Sequence, residues 1–140
     1  MGSPSRTRQH LRSRLHGDRG SVTTETVGYT VIFLLALTVI VQAAVWSLAD
    51  QSARHAAKEA LQAARVYGAT AESGRSEAAE VLAETNPAGI DDVQITVERG
   101  PVTTTVTITG TANRVVPVPG LTVPIEVQVQ APTEDVPPVS

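Results

Sequence analysis

The sequence predicts an α+β protein whose N-terminal helix spans a membrane. Three observations lead to this expectation. An uncharged, apolar run covers residues 26–49, a helical pattern without Gly or Pro continues to residue 67, and three runs of alternating apolar and polar residues follow residue 92. The first run is typical of a membrane span, the second of a helix, and the last three of half-buried strands. We expect a long transmembrane helix that continues outward, a second short helix, and a three-stranded antiparallel sheet packed on the long helix.

The apolar run is long enough to cross a bilayer. As a helix, residues 27–49 would measure about 35 Å, against a hydrocarbon core of about 30 Å. An ordinary secretory signal peptide has a shorter apolar stretch of roughly 7–15 residues, and a buried core helix rarely remains uncharged over this length. The run therefore predicts a retained signal anchor.

The charges on the two sides of the run differ in sign. Residues 1–20 contain five arginines and one aspartate, whereas residues 50–140 contain twelve acidic and six basic residues. Basic segments beside a span stay in the cytoplasm, and Tyr29 and Trp46 lie where interfacial aromatic residues usually occur. We expect a single-pass protein of the cytoplasmic (inner) membrane, with its N-terminus in the cytoplasm and its C-terminus outside.

The segment RGSVTTE, residues 19–25, places a glycine and a carboxylate at the entrance of the run. A basic leader, Gly20 and then Glu25 at the start of an apolar helix resemble the class III signal peptide of type IV pilins. The wider stretch 19–65 resembles the TadE-like minor pseudopilins of tight-adherence (Tad) pilus loci, and residues 102–132 are similar to that family's C-terminal strand region. The span lacks the central proline common in the family, so we expect a straighter helix.

This resemblance implies a pilin-like fold and cleavage by a prepilin peptidase between Gly20 and Ser21. Cleavage would create an α-amine on Ser21, at the edge of an apolar region. Glu25 is then the assembly residue, because its carboxylate can pair with this amine in the same chain or in a neighbouring subunit. A desolvated charge without a partner costs several kcal/mol. The implied partners are the peptidase, other pilin and pseudopilin subunits, the Tad membrane assembly platform and the membrane itself.

Changes in composition divide the chain into five expected parts. These are a basic cytoplasmic leader (1–20), a transmembrane helix (21–49), an outward extension of that helix (50–67), an extracytoplasmic α+β domain (68–131) and a disordered C-terminal tail (132–140).

One face of the helical extension carries small residues at 4-3-4-3 spacing, which favours a buried stripe. Its members are Ala53, Ala57, Ala60, Ala64 and Tyr67. The stripe either covers the protein's own domain or packs in a bundle of subunits. Gly68 is expected to end this helix. A second helix is expected at residues 72–84.

Three strands should follow the second helix. The expected core-facing residues of the second helix and the strands are Ala78, Val81 and Leu82, then Val93, Ile95 and Val97, then Val102, Val106 and Ile108, and finally Leu121, Val123, Ile125, Val127 and Val129. Residues 99–101 should form a tight hairpin. Pro124 belongs on an edge strand, so the second strand should be central.

We find no pattern of catalytic, cofactor-binding or metal-ligating residues. The sequence contains no cysteine, which excludes disulfides and thiolate metal sites. His10 and His16 lie in the leader, and His55 is expected to form an exposed pair on its helix. Asp91 and Asp92 are expected in a solvated turn rather than at a calcium ion. Aromatic residues are absent after residue 67, which argues against nucleic-acid binding.

These observations favour a non-enzymatic protein. The leading hypothesis is a TadE-like minor pilin or pseudopilin, a substrate of a prepilin peptidase that assists assembly of a Tad-type pilus or a related secretion apparatus. The alternative is a single-pass, signal-anchored extracytoplasmic binding domain that does not enter a filament.

Overall fold

A computed structural model describes residues 18–85, 89–116, 119–120 and 122–135. Its helices and strands are α1 Asp18–Arg65, α2 Ala71–Thr85, β1 Ile90–Arg99, β2 Thr103–Ala112 and β3 Pro124–Pro132. The expected α+β class is confirmed, with a long apolar helix, a second short helix and a three-stranded antiparallel sheet. The chain forms two compact units, one up to Val39 and one from Ile40 onward.

In the first unit, α1 presents apolar side chains on its whole surface. From residue 22 to residue 39 every residue is exposed except Thr38, which is half-buried. The hydroxyl groups of Thr26, Thr30 and Thr38 donate hydrogen bonds to carbonyl oxygens one turn earlier, over 2.8–2.9 Å. Because these hydroxyls are satisfied within the helix, they do not require water. This stretch therefore suits an apolar environment.

In the second unit, α1 buries a face made almost entirely of alanine. The buried residues of this face are Ala49, Ser52, Ala53, Ala56, Ala57, Ala60 and Ala64. Alanine loses no side-chain entropy on burial, and its small methyl group permits close packing in the core that these alanines share with α2 and the sheet. The expected stripe is thus confirmed from Ala53 to Ala64.

The end of α1 differs from the expectation. The helix stops at Arg65, so Tyr67 lies beyond it, and 56% of Tyr67 is exposed rather than buried in the stripe. A turn follows, in which the Ala69 amide donates to the Val66 carbonyl over 3.1 Å. Gly68 occupies this turn with φ 75°, a conformation that favours glycine.

The sheet has the order β1-β2-β3, so β2 is central and Pro124 begins an edge strand, as expected. Its core face includes Val97, Val106, Ile108, Ile125 and Val127, all buried. Val123 and Val129 pack beside them and are half-buried. Leu121 lies outside the described residues.

The start of β2 differs from the expectation, because Val102 does not face the core. Val102 precedes the strand and is 75% exposed, because it belongs to the β1–β2 hairpin, which the Gly100 amide closes by donating to the Thr103 carbonyl over 2.9 Å. Thr104 is fully buried on the core face instead. Its hydroxyl lies 2.8 Å from the Thr133 hydroxyl, which satisfies a polar group that would otherwise be costly to bury.

A β-bulge interrupts β1 near its beginning. Asp91 pairs with Thr111 and Gln94 pairs with Thr109, so β1 has one residue more than β2 between these pairs. Asp92 has φ 53° in the bulge. The extra residue shifts the alternation before it, so Ile90 joins the buried core together with Val97. Val93, Ile95 and Val97 keep the expected alternation after the bulge: Val97 is buried, Ile95 is half-buried, and Val93 lies beside Ile95 with 37% of its surface exposed.

Helix α2 begins and ends within one residue of the expected range. Its N-terminus carries a reciprocal cap, because the Ser73 amide donates to the Thr70 hydroxyl over 3.1 Å and the Thr70 amide donates to the Ser73 hydroxyl over 3.2 Å. Such a cap satisfies amides that lack helical partners. Ala78 and Leu82 are buried as expected, and Val81 is half-buried.

The expected disordered tail from residue 132 is wrong for residues 132–135. Strand β3 extends to Pro132. The Thr133 amide then donates to the Val102 carbonyl over 2.9 Å, and the Glu134 amide donates to the Arg65 carbonyl over 2.8 Å. These hydrogen bonds fix the segment beside the C-terminal end of α1. Residues 136–140 lie outside the described residues.

Candidate functional site

The peptide bond between Gly20 and Ser21 lies in the first turn of α1, which begins at Asp18. Both residues are helical. Local unwinding at this position would make the bond accessible to a peptidase, which needs access to the backbone.

Glu25 lies one turn further along α1 and is exposed. The Tyr29 hydroxyl donates a hydrogen bond to Glu25 Oε1 over 3.0 Å. Residues 21, 25 and 29 are spaced by four, so they follow one another along a single side of the helix. An amine created at residue 21 would therefore be one turn from a carboxylate that Tyr29 orients from the opposite direction.

Gln42 is a second polar position in the uncharged run. Its Nε2 donates to the Asn113 carbonyl over 3.2 Å, and its Oε1 accepts from the Val115 amide over 2.8 Å. Both partners lie in the connection from β2 to β3. This contact was not predicted from the sequence. The feature that could have indicated it is an amide side chain within a run of apolar residues.

Arg99 closes the C-terminal end of α1. Its Nε donates to the Ala64 carbonyl over 2.9 Å and its Nη2 donates to the Val66 carbonyl over 3.1 Å. Nη2 also lies 3.7 Å from Asp135 Oδ1. A cation at this end of a helix compensates the partial negative charge of the last carbonyl groups. The role of Arg99 is thus structural. The sequence did not indicate this role, because it showed only that Arg99 belongs to the expected hairpin.

Two ion pairs lie on the part of α1 that follows the uncharged run. His55 Nδ1 is 3.9 Å from Glu59 Oε1, with both side chains partly exposed, so the pair lies at the surface as expected. Arg54 Nε is 2.7 Å from Asp50 Oδ2. The hydrogen bond to Asp50, and then its negative charge, raise the pKa of Arg54, and desolvation opposes them. Exposed pairs of this kind contribute little to stability.

The described residues contain no cluster of three or more side chains that could hold a metal ion. Asp91 and Asp92 are both exposed at the beginning of β1. They stand at the bulge rather than in an ordinary turn, which corrects the expected solvated turn. His10 and His16 lie outside the described residues.

A shallow apolar groove lies between α2 and β1. It has a volume of about 380 Å³ and is lined by Ala79, Leu82, Ala83, Val93 and Ile95. Val93 and Ile95 supply the β1 side of this lining. The groove offers apolar contacts without a charged or hydrogen-bonding side chain in its lining.

Within the described residues, one helical segment is long and apolar enough to cross a membrane, Val22–Arg65. Its most apolar window is not buried within the protein. The fold and this helix are compatible with a single-pass membrane protein that carries a small α+β domain. No protein-family model matches the chain, and neither does any curated protein or solved structure with which it was compared.

Proposed function

We propose that this chain is a TadE-like minor pilin or pseudopilin, processed by a prepilin peptidase, that assists assembly of a Tad-type pilus or a related secretion apparatus. One observation carries the proposal. Gly20 and Glu25 stand five residues apart at the start of a helix whose apolar side chains are exposed from residue 22 to residue 39. An exposed surface of this kind requires lipid or other apolar helices around it.

In this function the chain is a substrate and the peptidase supplies the catalytic groups. Hydrolysis of the Gly20–Ser21 bond adds one water molecule and leaves a carboxylate on Gly20 and an amine on Ser21. Glycine has no side chain to obstruct approach to the bond. The position of this bond, just before the exposed apolar segment that begins at Val22, supports the proposal.

Glu25 would bind the new amine. An α-amine has an unperturbed pKa near 8 and is therefore mostly positive at neutral pH. At the edge of a membrane or within a bundle of helices, the amine and the carboxylate would each be costly without a partner. The hydrogen bond from Tyr29 keeps the carboxylate at the surface of α1, where the chain's own amine or that of a neighbouring subunit can reach it.

The proposed location is the cytoplasmic membrane, with the basic segment in the cytoplasm and the α+β domain outside. Five arginines before residue 20 support this orientation, because basic residues beside a span are retained inside. The exposed apolar surface of α1 is the proposed contact for other pilin subunits and for the assembly platform.

The apolar groove favours a second candidate function, a membrane-anchored binding domain that does not enter a filament. The groove between α2 and β1 is within the size range of small-ligand sites. Its lining lacks the polar groups that usually fix a ligand's orientation, which makes this candidate weaker. The mature N-terminus discriminates between the two, since an anchored domain has no need of cleavage at Gly20.

The first test is the mass of the protein extracted from membranes of cells that contain a prepilin peptidase. We expect a mature chain that begins at Ser21. Gly20→Val should block processing, because a β-branched side chain would stand at the bond to be cut. Gly28→Val is the matched control, since a side chain at Gly28 meets nothing within 4 Å and the substitution leaves the bond unchanged. A full-length N-terminus in the unaltered protein would contradict the proposal.

The second test separates the charge of Glu25 from its hydrogen bond. Glu25→Gln removes the charge, and Tyr29→Phe removes the hydrogen bond but keeps the carboxylate. We expect normal processing in both variants, with a large loss of co-purification with other pilus subunits for Glu25→Gln and a smaller loss for Tyr29→Phe, which keeps the charge but not the orienting hydrogen bond. Equal co-purification of Glu25→Gln and the unaltered protein would refute the role of Glu25.

A further inference from the structure

The connection from β2 to β3 forms hydrogen bonds with α1 inside the uncharged run, rather than after it. Gln42 forms hydrogen bonds with the backbone of Asn113 and Val115, and Gln42 lies within the uncharged run of residues 26–49. The first charged residue after this run is Asp50. Gln42 precedes Asp50 by eight positions, which correspond to about 12 Å along the helix axis. The connection therefore contacts α1 about 12 Å before the first charged residue that follows the run.

This level corresponds to the outer boundary of a bilayer. The twenty residues from Val22 to Val41 are helical and would measure about 30 Å, the thickness of a hydrocarbon core. A hydrocarbon core that begins between Val22 and Val27, the first residue of the span measured above, ends between Val41 and Trp46, so Gln42 lies within about one turn of its outer boundary. Trp46, which is 42% exposed, then lies one turn further out, at the level where tryptophan is enriched.

The connection has the composition of a membrane-contacting loop. Val115 and Val116 are 46% and 45% exposed, and the segment 113–120 contains no acidic residue. Exposed apolar side chains are poorly solvated by water.

Three backbone groups at the start of the connection have hydrogen-bond partners within the protein, as a weakly polar environment requires. The Asn113 carbonyl and the Val115 amide are both satisfied by Gln42, and the Asn113 amide donates to the Gly89 carbonyl over 3.4 Å. Backbone groups that enter lipid without partners cost several kcal/mol each. The Gln42 amide is satisfied by the same contacts, which removes the cost of placing it at the edge of a span.

We propose that residues 113–116 form a membrane-contacting loop that inserts into the interfacial region of the lipid bilayer beside α1. The bilayer is the proposed occupant of the exposed surface of Val115 and Val116. This loop would hold the base of the α+β domain against the membrane. The inference depends on α1 spanning the bilayer but not on cleavage at Gly20.

The experiment uses the full chain in phosphatidylcholine vesicles. The protein contains no cysteine, so single cysteines can carry an environment-sensitive fluorophore. Val115→Cys tests the loop. Val102→Cys is the matched control, because it is an exposed valine in the hairpin at the opposite end of β2. Val39→Cys, in the exposed apolar part of α1, reports whether the helix is in the membrane.

We expect a blue-shifted emission and strong quenching by nitroxide-labelled lipid for the probes at residues 115 and 39, and neither effect at residue 102. A probe at residue 115 that behaves like that at residue 102, while residue 39 is quenched, would overturn the loop and leave the span intact. Absence of quenching at residue 39 would overturn both. Circular dichroism of each labelled variant establishes that the domain is folded.

Discussion

Gly74 stands at a close contact between α2 and α1. A Cβ atom at this position would lie 2.7 Å from Ala64 Cβ and 2.8 Å from the Ala60 carbonyl oxygen. Both distances are shorter than van der Waals contact, and one of the partners is backbone, which cannot rotate away. Glycine is the least favourable residue of a helix interior after proline, so its presence here reflects packing rather than helix propensity.

We predict that Gly74→Ala destabilises the domain by about 1–3 kcal/mol, the usual cost of overpacking a core. At an exposed helical site the same substitution would stabilise the protein by about 1 kcal/mol. Chemical unfolding followed by circular dichroism measures the effect. Ser76→Ala, at an exposed position of α2, is the control and should be neutral or slightly stabilising. A Gly74→Ala variant that is more stable than the unaltered protein would contradict the close contact.

At this scale the sequence predicted burial well wherever the side chain is apolar and the strand regular. Val106, Ile108 and Val127 are buried as their alternation indicates. Alternation places Thr104 on the face of Val106 and Ile108, but its full burial could not be predicted, because its partner, the Thr133 hydroxyl, is distant in sequence. The bulge in β1 could not be predicted either, because it depends on pairing with β2.

Among the elements, α1 depends on a residue of another element for its C-terminal end. The last carbonyl groups of a helix have no helical donor. The guanidinium of Arg99 supplies two donors, to the carbonyls of Ala64 and Val66, and only 19% of its side chain is exposed. The planar guanidinium can donate to two carbonyl groups at once. A lysine ammonium on its flexible stem does not fit this arrangement.

We predict that Arg99→Gln lowers the free energy of unfolding by about 1–3 kcal/mol, the range expected for loss of hydrogen bonds from a charged group. Arg99→Lys should restore only part of this stability. The denaturant midpoint measures both changes. Arg75→Gln is the control, because the pair of Arg75 with Glu72 is exposed and should contribute little. Equal losses from Arg99→Gln and Arg75→Gln would argue against a special role for Arg99.

The number, type and order of the elements followed from local patterns, because helix propensity, alternation and Pro124 all act within a few residues. The ends of the elements did not. The segment 133–135 has the composition of a flexible tail, yet it is fixed by backbone hydrogen bonds to Val102 and Arg65. No local pattern carries such contacts. The Gly20–Glu25 motif, in contrast, was visible from the sequence because its residues are close together in the chain.

For the molecule as a whole, the principal consequence of the long helix is its orientation in a membrane. The N-terminal arginines and the uncharged run lead us to predict a cytoplasmic N-terminus and an external C-terminus. Alkaline phosphatase fused after Ser140 should be active, because it folds only outside the cytoplasm. A fluorescent protein that matures only in the cytoplasm should be dark at the same position. A bright fluorescent fusion would show that the proposed orientation, and with it the processing model, is wrong.

The hydrogen bond between the Glu134 amide and the Arg65 carbonyl has a consequence for the order of folding. It joins the end of α1 to a segment synthesised after α2 and all three strands. The two strand pairs are local and can form early. The contact between Arg65 and Glu134 closes a long loop, and it becomes favourable only after the sheet has formed. A chain that crosses a membrane during synthesis would therefore remain without its final contact until residue 134 has emerged. The C-terminal end of α1 would then be the last part of the domain to gain its backbone contacts, on the far side of the membrane.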